Sequence, residues 1–330
     1  MKKRQTLSEY KNGVLEGNRS TLAQAITLVE SNRPTDKELA AKLVQEILPQ
    51  TGNSIRIGIT GVPGVGKSTF IESFGTTLVN SGRKVAVLAI DPSSQRGKGS
   101  ILGDKTRMET LAGDKRAFIR PSPSGTSLGG VSAKTREAML LCEAAGYDTI
   151  LIETVGVGQS ETAVRGMVDF FLLLMLAGAG DELQGIKKGI MEMADALLIN
   201  KADGNNLKES KLARQHYLQA LHLFPPSENG WYPKVELVSS IEKSGLEEAW
   251  DMIQQYENHT KSNGFWKKNR SDQRLKWLDE NLQMMLSELI LSNKSVQSLL
   301  DTHKDGIKSG DISPLWVAQE AIKILTQNYS

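Results

Sequence analysis

Residues 61–69 read Gly61-Val62-Pro63-Gly64-Val65-Gly66-Lys67-Ser68-Thr69 and match the pattern G-x-x-x-x-G-K-[S/T]. Glycines let backbone N–H groups converge on phosphate oxygens, the lysine reaches the β- and γ-phosphates, and the serine hydroxyl can ligate Mg²⁺. The preceding segment 55–60 is apolar and β-branched, and the residues after Lys67 can form a helix. The sequence therefore predicts a strand, a phosphate-binding loop and a helix, with Lys67 contacting phosphate and Ser68 contacting the metal ion.

The pattern around this loop alternates between strands and helices, which predicts an α/β fold with a doubly wound, mostly parallel sheet. Polar residues follow several of the apolar runs directly, and in such a sheet ligands bind at the carboxyl ends of the strands. The predicted strands are residues 55–60, 84–90, 149–153, 170–176, 196–200 and 235–238.

Helical patterns flank this core on both sides. We expect an N-terminal helical extension over 1–52, a P-loop domain over 53–262 and a C-terminal helical extension over 263–330 that forms a dimer. The segment Thr35-Asp36-Lys37-Glu38 has the capping-box pattern that starts a helix. The C-terminal helix carries a short heptad seam, and such a seam is typical of packing within a domain or a dimer. Its members are Leu275, Leu278, Leu282, Met285 and Leu289.

The bulk composition is that of a soluble globular protein: 330 residues, 39% hydrophobic and 24% charged. A formal net charge of +2 gives no electrostatic case for nucleic acid or an anionic membrane, so neither partner is predicted. The single cysteine, Cys142, excludes disulfides and thiolate clusters within one chain. The longest apolar run, 168–179, is too short to span a bilayer. We expect a cytoplasmic protein.

A second motif indicates which base is bound. Asn200-Lys201-Ala202-Asp203 follows an apolar run, and N-K-x-D is the guanine-reading element of GTPases. Asp203 can accept hydrogen bonds from the guanine N1–H and exocyclic amine, which adenine does not offer. The sequence therefore predicts GTP and GDP as ligands rather than ATP. Val238-Ser239-Ser240 resembles the last guanine-contacting loop of GTPases, and a plain serine-rich turn is the alternative.

Two carboxylates end predicted strands and are candidate metal contacts. Asp91 and Glu153 each follow an apolar run, where a carboxylate can hold Mg²⁺ directly or through water. A capping or surface position is the alternative for each. The N–H of Gly156 could bind the γ-phosphate, which makes 153–161 a candidate switch. Val157 stands where Ras-like enzymes place a water-orienting glutamine, so we expect slow intrinsic hydrolysis that a partner stimulates.

Longer blocks resemble one family, the methylmalonyl-CoA mutase-associated GTPases, also called the MeaB or ArgK type. The resemblance covers roughly residues 35 to 290. Besides the loop at Gly61 and the segments after Asp91 and Glu153, it rests on the blocks Ser100-Ile101-Leu102-Gly103-Asp104-Lys105-Thr106-Arg107-Met108, Arg120-Pro121-Ser122-Pro123-Ser124 and Gly178-Ala179-Gly180-Asp181-Glu182-Leu183-Gln184-Gly185-Ile186-Lys187-Lys188.

The resemblance implies a homodimeric GTPase that acts as a chaperone for an adenosylcobalamin-dependent acyl-CoA mutase. It would gate loading of the cofactor by an adenosyltransferase and protect the mutase, without itself needing to bind cobalamin. It adds Asp104 to the metal and water network and Lys187 to a third switch that couples nucleotide to partner. Ala177 stands where a family member is expected to carry proline, so the start of that switch is less rigid here.

Two other classes share parts of this pattern. A metallochaperone GTPase that inserts nickel has the same fold but normally carries cysteine or histidine ligands. His216 and His222 are the nearest approach to such a pair, and six residues on a helix do not align them on one face. A kinase for amino-acid transport is the third class, and the sequence marks neither a phosphoacceptor nor a membrane contact for it.

Overall fold

The computed structural model describes residues 4–91, 108–123, 128–154, 160–178, 188–225 and 227–327. Within them lies one seven-stranded sheet whose pairs are all parallel, in the order β3-β2-β4-β1-β5-β6-β7. This confirms the predicted α/β class and replaces "mostly parallel" with fully parallel. The strands are β1 Ile55–Gly61, β2 Val85–Asp91, β3 Ala117–Pro123, β4 Thr149–Glu153, β5 Phe170–Leu176, β6 Ala196–Asn200 and β7 Lys234–Leu237.

Helices connect the strands and extend the chain at both ends. Before the sheet come α1 Leu7–Leu15, α2 Arg19–Val29 and α3 Pro34–Ile47. Between the strands come α4 Lys67–Asn80, α5 Glu109–Gly113, α6 Leu128–Ala144, α7 Ser160–Arg165, α8 Lys188–Met193 and α9 Leu207–Leu221. After the sheet come α10 Leu246–Ser262, α11 Phe265–Ser292, α12 Lys294–Ser309 and α13 Pro314–Gln327.

One strand, β3, was not among those predicted from the sequence. It contains Pro121 and ends at Pro123, and proline cannot donate a ladder hydrogen bond. The strand lies at the edge of the sheet and pairs only with β2 among the described strands. Proline is tolerated in an edge strand, so the two prolines, which argue against a central strand, are compatible with β3.

The strand register brings the predicted site residues to one edge of the sheet. Glu153, the last residue of β4, is opposite Ile59 of β1. Gly61 is opposite Leu174 of β5, and Asn200 is the last residue of β6. Because the strands are parallel, their carboxyl ends and the loops that leave them share this edge.

Apolar side chains cover both faces of the sheet, as expected where helices pack on each side. Alternate residues of β5 divide between the two faces: Leu172 and Leu174 join the cluster that contains Phe70 and Phe74 of α4. Leu173 and Met175 join a second cluster with α9. The apolar run at 168–179 is therefore mostly accounted for by a central strand.

Among the described helices, none has both the length and the apolar composition needed to cross a membrane.

The start of α3 differs from the sequence prediction. The helix begins at Pro34, with Arg33 at the N-cap and no side-chain cap, so Thr35 does not form the predicted capping box. Proline at the first helical position needs no N–H partner, and Asp36 instead pairs with Arg4 at 2.7 Å. A capping box is present at the start of α1, between Thr6 and Glu9.

The N-terminal helices are attached to the sheet domain by polar contacts at the end of α2. Glu30 pairs with Arg120 of β3, and the ammonium of Lys134 on α6 lies 2.6 Å from the Glu30 carbonyl. A cation at the carboxyl end of a helix is favourable because the last carbonyls carry partial negative charge. Burial raises the pKa of the Glu30 carboxyl, against the opposing effect of Arg120.

The beginning of α11 is fixed by a buried ion pair at the amino-terminal edge of the sheet. The Arg270 guanidinium binds both carboxylate oxygens of Asp169 at 2.7 Å, and it donates to the carbonyls of Gly52 and Ser54 at 2.6 Å. Asp169 also accepts from the N–H of Arg56 at 2.9 Å. Both charged side chains are buried, so each depends on the other for compensation.

The chain divides into two compact units, Met1–Gln273 and Arg274–Ser330. The second contains the rest of α11, together with α12 and α13. Its helix α13 begins at Pro314, and proline at the first helical position needs no N–H partner. The seam residues of α11 are exposed in the isolated chain, with between 44% and 62% of each side chain accessible.

We predict that Asp169→Asn destabilises the first unit by about 3 kcal/mol, because it leaves the Arg270 charge buried without a carboxylate. Chemical denaturation of the purified chain measures this. Asp272→Asn is the matched control, since Asp272 pairs at 3.3 Å with Lys268 on the exposed surface of α11, the helix that carries Arg270. The control should leave the unfolding midpoint unchanged. Equal effects of the two substitutions would contradict the role given to the buried pair.

Candidate nucleotide site

The phosphate loop connects β1 to α4 and contains two glycines at which a side chain would clash or strain the backbone. A Cβ on Gly61 would lie 2.6 Å from the Leu174 carbonyl oxygen of the neighbouring strand. Gly66 is the N-cap of α4 and has φ of 91°, in the left-handed region. Val65 is buried and anchors the loop, whereas Pro63 and Gly64 are exposed at its tip.

Lys67 and Ser68 stand at the first positions of α4, where the helix N-terminus carries partial positive charge. The Lys67 ammonium donates to the Gly61 carbonyl at 2.9 Å and lies 3.5 Å from that of Val62, so its charge is held against the loop. Burial lowers the pKa of Lys67, and the nearby carboxylate of Glu153 opposes that shift. The Ser68 hydroxyl donates to Glu153 at 3.0 Å.

This pair of oxygen groups fits a magnesium ion. Mg²⁺ prefers hard oxygen ligands and is usually held by one or two protein groups together with phosphate oxygens and water. The hydroxyl of Ser68 comes from the first turn of α4 and the carboxylate of Glu153 from the end of β4, and the two meet directly beside the phosphate loop. Asp91 ends β2 on the same edge of the sheet.

The segment Asn200–Asp203 contacts the phosphate loop directly. The amide of Asn200 donates to the Val65 carbonyl at 2.9 Å, and the ammonium of Lys201 donates to the Gly64 carbonyl at 3.0 Å. Lys201 has φ of 59°, which non-glycine residues rarely adopt. Such backbone strain persists only where the surroundings hold it, and here the side chain is bonded to the loop.

The loop after β7 lies beside the same segment. The Ser239 hydroxyl donates to the carboxylate of Asp203 and accepts from the N–H of Glu242 at 3.0 Å. The Ser240 hydroxyl donates to the Asn200 side-chain oxygen at 2.9 Å. Val238 is buried, and its carbonyl accepts from the N–H of Ala202 at 3.1 Å. The structure thus brings Val238, Ser239 and Ser240 together with the Asn200–Asp203 segment.

Two hydroxyl contacts at this edge were missed in reading the sequence. Ser73 of α4 donates to the Ser240 carbonyl at 2.6 Å. Thr154, which follows Glu153, donates to Thr60 at 2.8 Å, and both side chains are buried. The sequence does contain a signal for Ser73. A serine beside Phe74 on the buried face of an amphipathic helix needs a hydrogen-bond partner.

Some predicted site residues lie outside the described residues. These are Asp104, which was assigned to the metal and water network, Gly156 of the first candidate switch, and Lys187 of the third switch. The backbone of Asp91 is described but its side chain is not. Thr69 is exposed in the first turn of α4.

A strand, a phosphate loop and a helix, with an Asn-Lys-x-Asp segment bonded to that loop, define the class of P-loop GTPases. Within this class, residues 22–295 match the family described as "Methylmalonyl Co-A mutase-associated GTPase MeaB". The chain belongs to this family. The match extends further towards the N-terminus than the resemblance read from the motifs.

Individual relatives agree with this assignment. The chain is 47% identical to the GTPase ArgK of Escherichia coli, covering 94% of this chain and 93% of the relative. It is 43% identical to the mitochondrial methylmalonic aciduria type A homolog of Mus musculus, covering 92% and 75%. A solved structure described as an LAO/AO transport system kinase is 39% identical with a TM-score of 0.76, covering 99% of both chains.

Proposed function

We propose that this GTPase is a cytoplasmic chaperone of an adenosylcobalamin-dependent acyl-CoA mutase of the methylmalonyl-CoA mutase type. Its nucleotide state would gate delivery of the cofactor by an adenosyltransferase and protect the mutase from inactivation. The observation that carries the proposal is the family match over residues 22–295, whose description names association with that mutase. The chain need not bind cobalamin itself, since its role is to time the exchange between partners.

The site chemistry supports GTP and Mg²⁺ as the ligands. Lys67 would neutralise the β- and γ-phosphates, and Ser68 and Glu153, joined at 3.0 Å, would hold Mg²⁺. Asp91 and Asp104 would complete the metal and water network. Asp203 would accept hydrogen bonds from the guanine N1–H and amine. Asn200 and Lys201 would fix this side of the site to the phosphate loop through the carbonyls of Val65 and Gly64.

Partner control is expected to act through the two switch segments. Gly156 would donate its N–H to the γ-phosphate and so report whether that group is present. Since Val157 replaces the water-orienting glutamine of Ras-like enzymes, hydrolysis would be slow until a partner completes the site. Lys187, in the third switch, is the residue we assign to that coupling.

The decisive experiment measures complex formation and GTP turnover with a purified methylmalonyl-CoA mutase. We expect a complex whose stability differs between a GTP analogue and GDP, and faster hydrolysis when the mutase is added. Lys187→Ala should keep basal hydrolysis and lose most of the stimulation, because the coupling residue is gone while the phosphate site is intact. Lys208→Ala, an exposed lysine of α9, is the control and should behave as wild type.

Two results would each contradict a different part of this proposal. If the mutase forms no complex in either nucleotide state, the chaperone role is wrong. If the complex forms but Lys187→Ala retains full stimulation, the chaperone role stands and only the assignment of Lys187 fails.

We further propose that a second copy of the chain covers the exposed seam of α11. Leu275, Leu278, Leu282, Met285 and Leu289 recur at alternating spacings of three and four, which is the spacing that pairs one helix with another like it. Each is at least 44% exposed in the single chain. Burying this row in a homodimer would remove the apolar surface from water.

Light scattering tests the dimer directly. We expect twice the chain mass of 36.1 kDa for the wild type, and a shift to the monomer for Leu282→Glu, because burying a carboxylate in the seam is unfavourable. Gln283→Glu adds the same charge one residue outside the seam and should leave the mass unchanged. A monomeric wild type would refute the proposal.

A further inference from the structure

Ser73 is a buried serine of α4 whose hydroxyl bonds a residue outside that helix. It donates at 2.6 Å to the carbonyl of Ser240, 167 residues further along the chain. Serine and threonine hydroxyls inside helices usually bond the carbonyl one turn earlier. Thr76 and Thr77 of the same helix do this, donating to Glu72 at 2.7 Å and to Ser73 at 3.0 Å.

The residue that Ser73 holds is central to the loop beside Asp203. Ser240 donates its own hydroxyl to Asn200, and Ser239, directly before it, donates to the Asp203 carboxylate. The loop is closed by a bridge from Ser239 to Ser244, with the N–H of Ser239 donating at 3.0 Å. A hydrogen bond to the Ser240 carbonyl therefore fixes the position from which Ser239 reaches Asp203.

These contacts form a closed ring that passes through the phosphate loop. Val65 accepts from Asn200, Asn200 accepts from Ser240, and Ser240 accepts from Ser73. Ser73 belongs to the helix that starts at Lys67, directly after the phosphate loop. The Asn200–Asp203 segment and the phosphate loop are thereby held in a fixed relative position. Ser73 connects this arrangement to α4.

We propose that Ser73 is a positioning residue for guanine recognition. Its hydroxyl holds the Ser239–Ser244 loop so that the Asp203 carboxylate, oriented by Ser239, presents its remaining lone pairs to the base. The inference rests on the proposed binding of guanine nucleotides at Asp203. Loss of the hydroxyl would weaken contacts to the base far more than contacts to the phosphates, since Lys67 and Ser68 are held by their own bonds to Gly61 and Glu153.

Competition against a fluorescent guanine nucleotide, with GDP and ADP as competitors, separates these two effects. For Ser73→Ala we expect GDP affinity to fall about fivefold, the loss typical of one hydrogen bond, with ADP affinity nearly unchanged. The ratio of the two affinities therefore falls about fivefold. Ser73→Cys fills the same space with a weak donor and should give an intermediate ratio.

Thr77→Ala is the matched control, because it removes a hydroxyl from the same helix that bonds only within it. Its affinity ratio should equal that of the wild type. A wild-type ratio in Ser73→Ala, or a parallel loss of GDP and ADP affinity, would overturn the positioning role. If Ser73→Ala does not fold, a wild-type ratio in Ser73→Cys would overturn it equally. A wild type that does not prefer GDP to ADP would instead overturn the proposed GTP binding.

Discussion

The side-chain amide of Asn200 is the contact on which the nucleotide site depends. Its nitrogen donates to the Val65 carbonyl of the phosphate loop, and its oxygen accepts from Ser240. An amide offers both a donor and an acceptor, so one side chain joins two loops that leave different strands. The parallel register makes this possible by ending β1 and β6 at the same edge, with β7 pairing alongside β6.

The opposite edge of the sheet is fixed by charge rather than by neutral hydrogen bonds. There Arg270 and Asp169 secure the first turns of α11, and Arg56 binds both oxygens of Glu143 at 2.8 and 2.9 Å. Burial would raise the pKa of Glu143, but the Arg56 guanidinium holds it below the usual value. Buried pairs of this kind tolerate little movement, since separating them leaves a charge without compensation. The rigid edge therefore lies opposite the edge at which nucleotide-dependent change is proposed.

Much of the fold could be predicted because strands buried on both faces are continuously apolar, as in Phe170–Leu176. The sequence does not predict β3, because its prolines are incompatible with a central strand. Its position at the edge of the sheet becomes clear only from the strand order. The start of α3 was misplaced because Pro34 at the first helical position outweighs the capping pattern at Thr35. Within the site, motifs located Lys67 and Asp203, whereas Ser73 belongs to no motif and its partner lies 167 residues away.

We infer that the Asn200–Asp203 segment and the phosphate loop act as one guanine-nucleotide site. The most direct measurement compares hydrolysis of GTP and xanthosine triphosphate by the wild type and by Asp203→Asn. Xanthine carries an oxygen where guanine carries the amine, and an asparagine amide can donate to it where a carboxylate cannot. We expect the preference of the variant to move from GTP to xanthosine triphosphate, with kcat/KM for GTP falling at least about tenfold. An Asp203→Asn variant that keeps the wild-type preference for GTP would contradict it.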